Sequence, residues 1–328
     1  MDTFKTVMIT GGYGCVGSQV INRLTQKYPN THFVNLDCLT YAAKLDNVEH
    51  PENSYYTFVY GNICDQKLVT HVLETYHVEC LLHIAGETHV DSSFFNSLVF
   101  TQTNIVGTHV LLECVRKYIQ DYPDTFKLFL HMSTDEVIGS IPDGEPPGTE
   151  YSLLLPSNPY SATKSAGENL CAAYNKSFNL PIIIVRSNNI ISKVQHEEKL
   201  IPCVISCILN GQKIPIHGKG IARRTFVHAY DVSDAYEIII DKGKIGKIYS
   251  IGTDHEYTVL EVVQAILDIM KPGSHVNDHI EFVEDRAFQD YRYSIDTTAL
   301  RDLGWKPSMT FKESLRDVIN HMLKKMNL

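Results

Sequence analysis

The segment Thr10-Gly11-Gly12-Tyr13-Gly14-Cys15-Val16-Gly17 joins a short apolar run, Thr6–Thr10, to a stretch of helical periodicity over residues 15–28. Glycines spaced GxxGxxG at a strand-to-helix junction constrain a chain heavily. They permit a tight turn, let backbone approach a pyrophosphate closely, and open the first amides of the helix to an anion. Glycines are common in turns, so the spacing carries weight only because a strand precedes it and a helix follows.

The same order of elements then repeats. Apolar runs at Thr6–Thr10, His32–Asp37, Tyr56–Gly61, Cys80–Ala85, Leu128–Ser133 and Pro181–Ser187 read as strands, with helices over 15–28, 65–76, 99–119 and 160–178. Several of the strands are apolar throughout, as in a parallel sheet covered on both faces. This alternation predicts an α/β fold with a Rossmann-type doubly wound parallel sheet. After about residue 188 the segments shorten: helices near 198–210, 231–242, 258–270 and 311–326, with strands near 214–216 and 247–251. Residues 1–188 are therefore expected to form a dinucleotide-binding domain that also carries catalytic residues. Residues 189–328 are expected to form mainly a smaller, partly interleaved substrate-binding lobe.

Composition limits the partners. The 328 residues carry a formal net charge of −9, which gives no sequence-wide reason to bind nucleic acid or anionic membrane. An anionic substrate must then be met by local positive sites. The N-terminus lacks the apolar stretch of a signal peptide, and no apolar run suggests a bilayer span. The eight cysteines are scattered without a CxxC pair, which predicts reduced thiols in a cytoplasmic protein and no metal site.

Asp37 ends the second strand, twenty residues beyond Gly17. A carboxylate there can accept both ribose hydroxyls of NAD and would repel the extra phosphate of NADP. The cofactor is therefore expected to be NAD, held by Gly11, Gly14, Gly17 and the Cys15 and Val16 amides, with Asp37 at the ribose. Asn62, beside Ile63, can reach an adenine edge, and Ala85 lets the chain pass close to the cofactor.

Tyr160 and Lys164 lie at i and i+4, on one face of a helix that Asn158 can cap and Pro159 can begin. Bringing a phenol from its ordinary pKa to near 7 takes roughly 4 kcal/mol. An ammonium at ~4 Å and an effective dielectric of ~20 supplies about that much. Lys164, helped by a positive nicotinamide, is thus expected to make Tyr160 a base. Thr134 is placed to hydrogen-bond a substrate hydroxyl. Asp135 and Glu136 follow it at the end of the fifth strand, where adjacent carboxylates raise one another's pKa and can divide the roles of acid and base.

With these residues in order, the chain resembles the dTDP-glucose 4,6-dehydratase family and its UDP-sugar relatives, giant-virus members among them, within the extended short-chain dehydrogenase/reductases. The likeness extends to Glu87-Thr-His89-Val-Asp91, Asn104-x-x-Gly-Thr108, Glu198-Lys-Leu-Ile-Pro202, Arg224-x-Phe226, Asp285-Arg286, Asp290-x-Arg-Tyr293 and Leu303-Gly-Trp305. It implies transient oxidation at C4 with Tyr160 as base, removal of the C5 proton by Glu136, protonation of the departing C6 hydroxyl by Asp135, and return of hydride to C6. It also implies substrate contacts from Glu87, His89, Asn189, Glu198, Lys199, Arg224, Arg286 and Asp290. A homodimer built as a four-helix bundle follows by the same likeness, with Val110, Leu111, Val115, Leu170, Ala173 and Phe178 as seam candidates.

Ile138 and Ile191 stand where the family carries aromatics, His228 where tyrosine is frequent, and Gln289 where histidine is common. Loss of bulk at 138 and 191 is expected to admit a larger C2 substituent, such as the N-acetyl group of UDP-N-acetylglucosamine, with or without C5 epimerisation. A sugar-nucleotide 4-epimerase shares the glycine loop and the Tyr160/Lys164 pair but does not need two adjacent acids. A non-catalytic NAD-binding regulator needs none of the five catalytic candidates.

Overall fold

The computed structural model describes residues 4–326. Its central sheet has seven strands: β1 (Thr6–Thr10), β2 (His32–Asp37), β3 (Tyr56–Tyr60), β4 (Cys80–His83), β5 (Leu128–Met132), β6 (Ile182–Ser187) and β10 (Ile248–Ile251). They run parallel in the order β10-β6-β5-β4-β1-β2-β3. Helices cover both faces: α1 (Cys15–Lys27), α2 (Gln66–Thr75), the short α3 (Val90–Phe95) and α4 (Ser97–Phe100), α5 (Thr108–Asp121), α6 (Pro159–Phe178) and α8 (Ala229–Lys242). β1 shows why. All five of its residues are buried, Val7 and Ile9 in one apolar layer with α1 and α8, Met8 in the other with α2, α5 and α6. A period of two feeds two cores at once.

The remaining elements surround a third apolar cluster. These are α7 (Leu200–Leu209), α9 (Val259–Met270), α11 (Phe311–Lys325), and the strands β7 (Asn189–Ile191), β8 (Ile214–His217), β9 (Arg223–His228), β11 (Glu256–Thr258) and β12 (Ile280–Val283), while the short α10 (Thr298–Asp302) packs on β10 in the first layer. They form two small sheets, β11-β9-β7 and β12-β8. The two halves of the chain interleave, because β10 extends the central sheet beside β6 and α8 packs with α1. Sequence periodicity does not reveal β7, β9, β11 or β12. They are three to six residues long, too short for an alternating pattern to stand out.

The expected helix over 99–119 is a continuous rod from Ser97 to Asp121 whose middle turns, Thr101–Gly107, are π-helical. It is 25 residues long, and an 18-residue window of it reaches a mean hydropathy of 1.2, enough by length and composition alone to cross a bilayer. Its Leu111, Leu112, Val115 and Tyr118 are instead packed into the core of this fold. Leu111 and Val115 are fully buried within the chain, so they are not free to form a seam between subunits.

Below the cleft, Arg186 of β6 and Glu168 of α6 form a buried ion pair, at 3.0 Å from Nε and 2.8 Å from Nη2. Their side chains are 2% and 3% exposed. It fixes α6 to the sheet one turn beyond Lys164. Glu168→Ala leaves a guanidinium buried without its partner and is expected to destabilise by about 3–5 kcal/mol. The Glu168→Met/Arg186→Met double variant removes both charges and is expected to recover most of that loss in chemical denaturation.

Candidate active site

A cleft of ≈540 Å³ lies at the C-terminal ends of the central strands, where an open α/β sheet takes its ligands. Gly11, Gly14, Cys15, Val16, Gly17, Asp37, Asn62, Ile63 and Ala85 all line it. Gly11 has φ +73°, and a Cβ there would stand 2.7 Å from the Ala85 Cα. Helix α1 begins after Gly14 with no side-chain cap and no acid in its first turn, so its leading amides are available to an anion. The Asp37 carboxylate accepts the Tyr13 and Leu39 amides, each at 2.8 Å, which aims it along the cleft wall. Asn62 accepts the Cys64 amide at 2.9 Å. It closes its own turn while also lining the cleft.

The two acids sit on the cleft floor after β5, in a single turn of 3₁₀-helix, Asp135–Ile138. Asp135 accepts from Asn188 Nδ2 at 2.8 Å and from the Thr134 hydroxyl at 3.2 Å. Burial, and then the Glu136 carboxylate, push its carboxyl up to about 7. Glu136 Oε2 accepts from Asn158 Nδ2 and from the Tyr293 hydroxyl, both at 3.2 Å. Burial also raises Glu136, against the lowering effect of Arg224. One acid is thus poised to hold a proton near neutrality beside a second that burial also raises.

Tyr160 and Lys164 face the same floor from α6. The capping box of Asn158 and Ser161 sets the start of that helix. The Lys164 ammonium donates to the Met132 carbonyl at 2.6 Å, and burial lowers its pKa to about 8. The phenol departs from expectation. Burial, then the Glu136 carboxylate, hold Tyr160 well above its ordinary range, with Thr134 acting in the opposite sense. The desolvation of a phenolate beside two acids outweighs the lysine, which is itself buried and turned to a carbonyl.

The expected substrate contacts divide into two groups. Glu87, Asn189, Glu198 and Lys199 line the cleft. Burial, then Glu198, raise Glu87, and Lys199 donates to the Thr88 carbonyl at 3.0 Å. His89, Arg224, Arg286 and Asp290 stand behind that wall. His89 bonds Ser92 at 2.7 Å, and Arg286 is committed to Asp91 at 3.0 Å. Arg224 donates to the backbone carbonyls of Arg223 and Asp290 while covering the Tyr293 ring at 4.3 Å. Asp290 is 3% exposed and accepts the Ser157 and Tyr293 hydroxyls. Each arginine thus directs part of its donor set to protein groups, and Asp290 is linked to Glu136 through Tyr293.

The family model described as GDP-mannose 4,6 dehydratase matches residues 8–318. The chain belongs to the nucleotide-sugar 4,6-dehydratase family. It is 41% identical over 320 residues to the trifunctional UDP-glucose 4,6-dehydratase/UDP-4-keto-6-deoxy-D-glucose 3,5-epimerase/UDP-4-keto-L-rhamnose-reductase of Arabidopsis thaliana, across 97% of this chain and 47% of that protein. It therefore spans about half the length of that relative. It is 37% identical over 323 residues to the dTDP-D-glucose 4,6-dehydratase of Bos taurus, covering 97% of this chain and 89% of the other. The dTDP-glucose 4,6-dehydratase of Streptomyces venezuelae, solved with NAD bound, superposes with a TM-score of 0.91 at 32% identity over 98% of each chain.

Two departures from the dehydratase pattern do not reshape the cleft. Ile138 packs with Val137, Ile141 and Ile295, and Ile191 is 1% exposed in the third core. Neither lines the cleft, so losing aromatic bulk there does not widen it. His228 caps α8 and pairs with Asp317 at 3.2 Å. Sequence reasoning missed Asn188 and Tyr293, and saw in Asn158 only a helix cap. Asn188 had a local hint, adjacency to Asn189. Tyr293 had none beyond its place in the Asp290-x-Arg-Tyr293 run.

The raised Asp135 carboxyl has a consequence for stability. Its folded-state pKa lies above the unfolded value, so folding favours the protonated form; stability is highest at acid pH and is lost as pH rises from about 4 through about 7. Asp135→Asn removes that dependence. The variant is expected to melt about 1–2 °C above wild type at pH 8 for each kcal/mol relieved, and level with it near pH 4. Calorimetry at both pH values checks this.

Proposed function

We propose that this chain is an NAD-dependent hydro-lyase that converts a UDP- or dTDP-glucose-type sugar nucleotide to the 4-keto-6-deoxy sugar. The observation that carries the reading is the meeting of Thr134, Asp135, Glu136, Tyr160 and Lys164 on one cleft floor beside the glycine loop and Asp37. The residues fit NAD. The loop leaves no room for a Cβ at Gly11, the α1 amides suit its pyrophosphate, and Asp37 suits its adenosine ribose. When bound, the nicotinamide supplies a hydride acceptor for C4, a hydride donor for C6, and a positive ring beside the phenol.

The chain's own groups move the protons. Tyr160 takes the C4 hydroxyl proton as the ketone forms, which acidifies the C5 hydrogen. Glu136 takes that hydrogen as a proton, and Asp135 protonates the C6 hydroxyl, which leaves as water. Glu136 then returns its proton to C5 as hydride reaches C6. Tyr160 has gained a proton and Asp135 has lost one. The Thr134 hydroxyl, bonded to Asp135 at 3.2 Å and placed against the phenol, lies on the route that returns it. The acid pair separates this reading from a 4-epimerase or a non-catalytic NAD-binding regulator. Nothing in the cleft favours the acetamido sugar over glucose.

The eight free cysteines suit a reducing, cytoplasmic setting. A homodimer through α5 and α6 is supported by Ala173 and Phe178, which are exposed on the outer face of α6. Light scattering of Ala173→Glu is expected to show monomer where wild type shows dimer; a monomeric wild type ends that part.

Turnover settles the chemistry. Incubation with UDP-glucose, dTDP-glucose and UDP-N-acetylglucosamine, followed by mass spectrometry, should show loss of one water from a glucose nucleotide. Tyr160→Phe and Glu136→Gln are expected to reduce kcat by about 10²–10⁴-fold. If no water is lost from any of the three, or if both variants retain full rate, the reading is wrong.

A further inference from the structure

Tyr293 has one hydroxyl proton and two carboxylates within reach. Its oxygen lies 3.2 Å from Glu136 Oε2 and in hydrogen-bond contact with Asp290 Oδ2. A phenol donates once. If it donates to Asp290, its lone pairs face Glu136 and favour a proton on that acid. If it donates to Glu136, the Glu136 carboxylate is stabilised and Asp290 keeps only the Ser157 hydroxyl as donor. The surroundings hold the ring still while the hydroxyl turns. Tyr293 is 3% exposed, Arg224 covers its face at 4.3 Å, and Arg224 Nη2 holds the Asp290 backbone carbonyl at 3.0 Å.

We propose that the Tyr293–Asp290 pair is a hydroxyl switch for Glu136, whose proton points to Glu136 when that acid is ionised and to Asp290 when Glu136 is protonated. Resting on the dehydratase reading, this supplies what a base that takes a proton and later returns it requires: both protonation states are satisfied by rotating one O–H, with no heavy atom moved. Tyr293 acts through Glu136 and is therefore a positioning residue. The other groups that face Glu136 are Asp135 beside it, Asn158 at the cap of α6, Tyr160 within it, Lys199 ahead of α7 and Arg224 from β9. None of these offers a proton that can turn between two acids. Burial and Glu136 hold the Tyr293 phenol far above its ordinary range, so its proton is shared and never released.

The test needs no substrate. Infrared titration follows the protonated carboxyl band of Glu136, assigned by its loss in Glu136→Gln. Tyr293→Phe keeps the ring and its Arg224 contact but removes the donor, so the Glu136 midpoint should rise by about one pH unit. Asp290→Asn puts a weaker acceptor, or a donor when flipped, beside the phenol. The phenol proton then passes to Glu136, and the midpoint should fall by about as much. Should Asp290→Asn fail to fold, Ser157→Ala serves instead: Asp290 then holds the phenol proton more tightly, and the midpoint should rise. In turnover, the acidic limb of kcat should follow each midpoint while KM stays within about 2-fold. Midpoints that stay at the wild-type value, or that move together in Tyr293→Phe and Asp290→Asn, overturn the switch. Opposed midpoints in a protein that eliminates no water would keep the switch and refute the dehydratase reading.

Discussion

Two carboxylates on adjacent residues, sunk at the end of β5, are costly to bury. Each loses solvent, and the Glu136 carboxylate raises Asp135 further. The surroundings offset that cost with donors drawn from distant parts of the chain: Asn188 to Asp135, Asn158 and Tyr293 to Glu136, and the charges of Arg224 and Lys199 facing both or one of them. The requirement reaches further still. Gly252 has no Cβ because one would stand 1.9 Å from the Asn188 Oδ1. Asn158 divides its amide, with oxygen on the Ser161 N–H and nitrogen on Glu136, so the cap that starts the catalytic helix also places the base. The interleaved fold serves the same end. β6 and β10 lead the chain out of the central sheet into the second lobe, and that lobe returns Lys199, Arg224 and Tyr293 over the acid pair.

Local features were legible in the sequence. The strand–glycine–helix junction, Asp37 at the end of β2, the Asp135-Glu136 pair and the Tyr160/Lys164 spacing depend on neighbours within a few residues, and each occupies its expected place in the cleft. Partnerships across long separations were not legible. Asn158, Asn188 and Tyr293 are 22, 53 and 157 residues from the acids they bond, and no periodicity records such pairs. The same limit hid the protein partners of Arg224, Arg286 and Asp290. Their residue types suit a diphosphate sugar, and the fold also gives them Asp91, backbone carbonyls and Tyr293. Apolar residues on α5 could serve a subunit seam or a core equally well by pattern, and tertiary packing put Leu111 and Val115 in the core.

Tyr160 shows why charge magnitudes need a geometry. A lysine four residues along a helix has the Coulombic strength to activate a phenol, but here Lys164 gives one N–H to the Met132 carbonyl and the phenol is buried beside acids. In the proposed reaction the positive ring of a bound NAD would add to what Lys164 supplies.

The most direct test of a single floor that oxidises, eliminates and reduces is the fate of one hydrogen. A sugar nucleotide carrying deuterium at C4 is turned over in ordinary water, and the product is read by NMR and mass spectrometry. Deuterium recovered at C6 of the product is the expected result. Deuterium retained at C4, or lost to solvent with water still eliminated, would contradict the shared site.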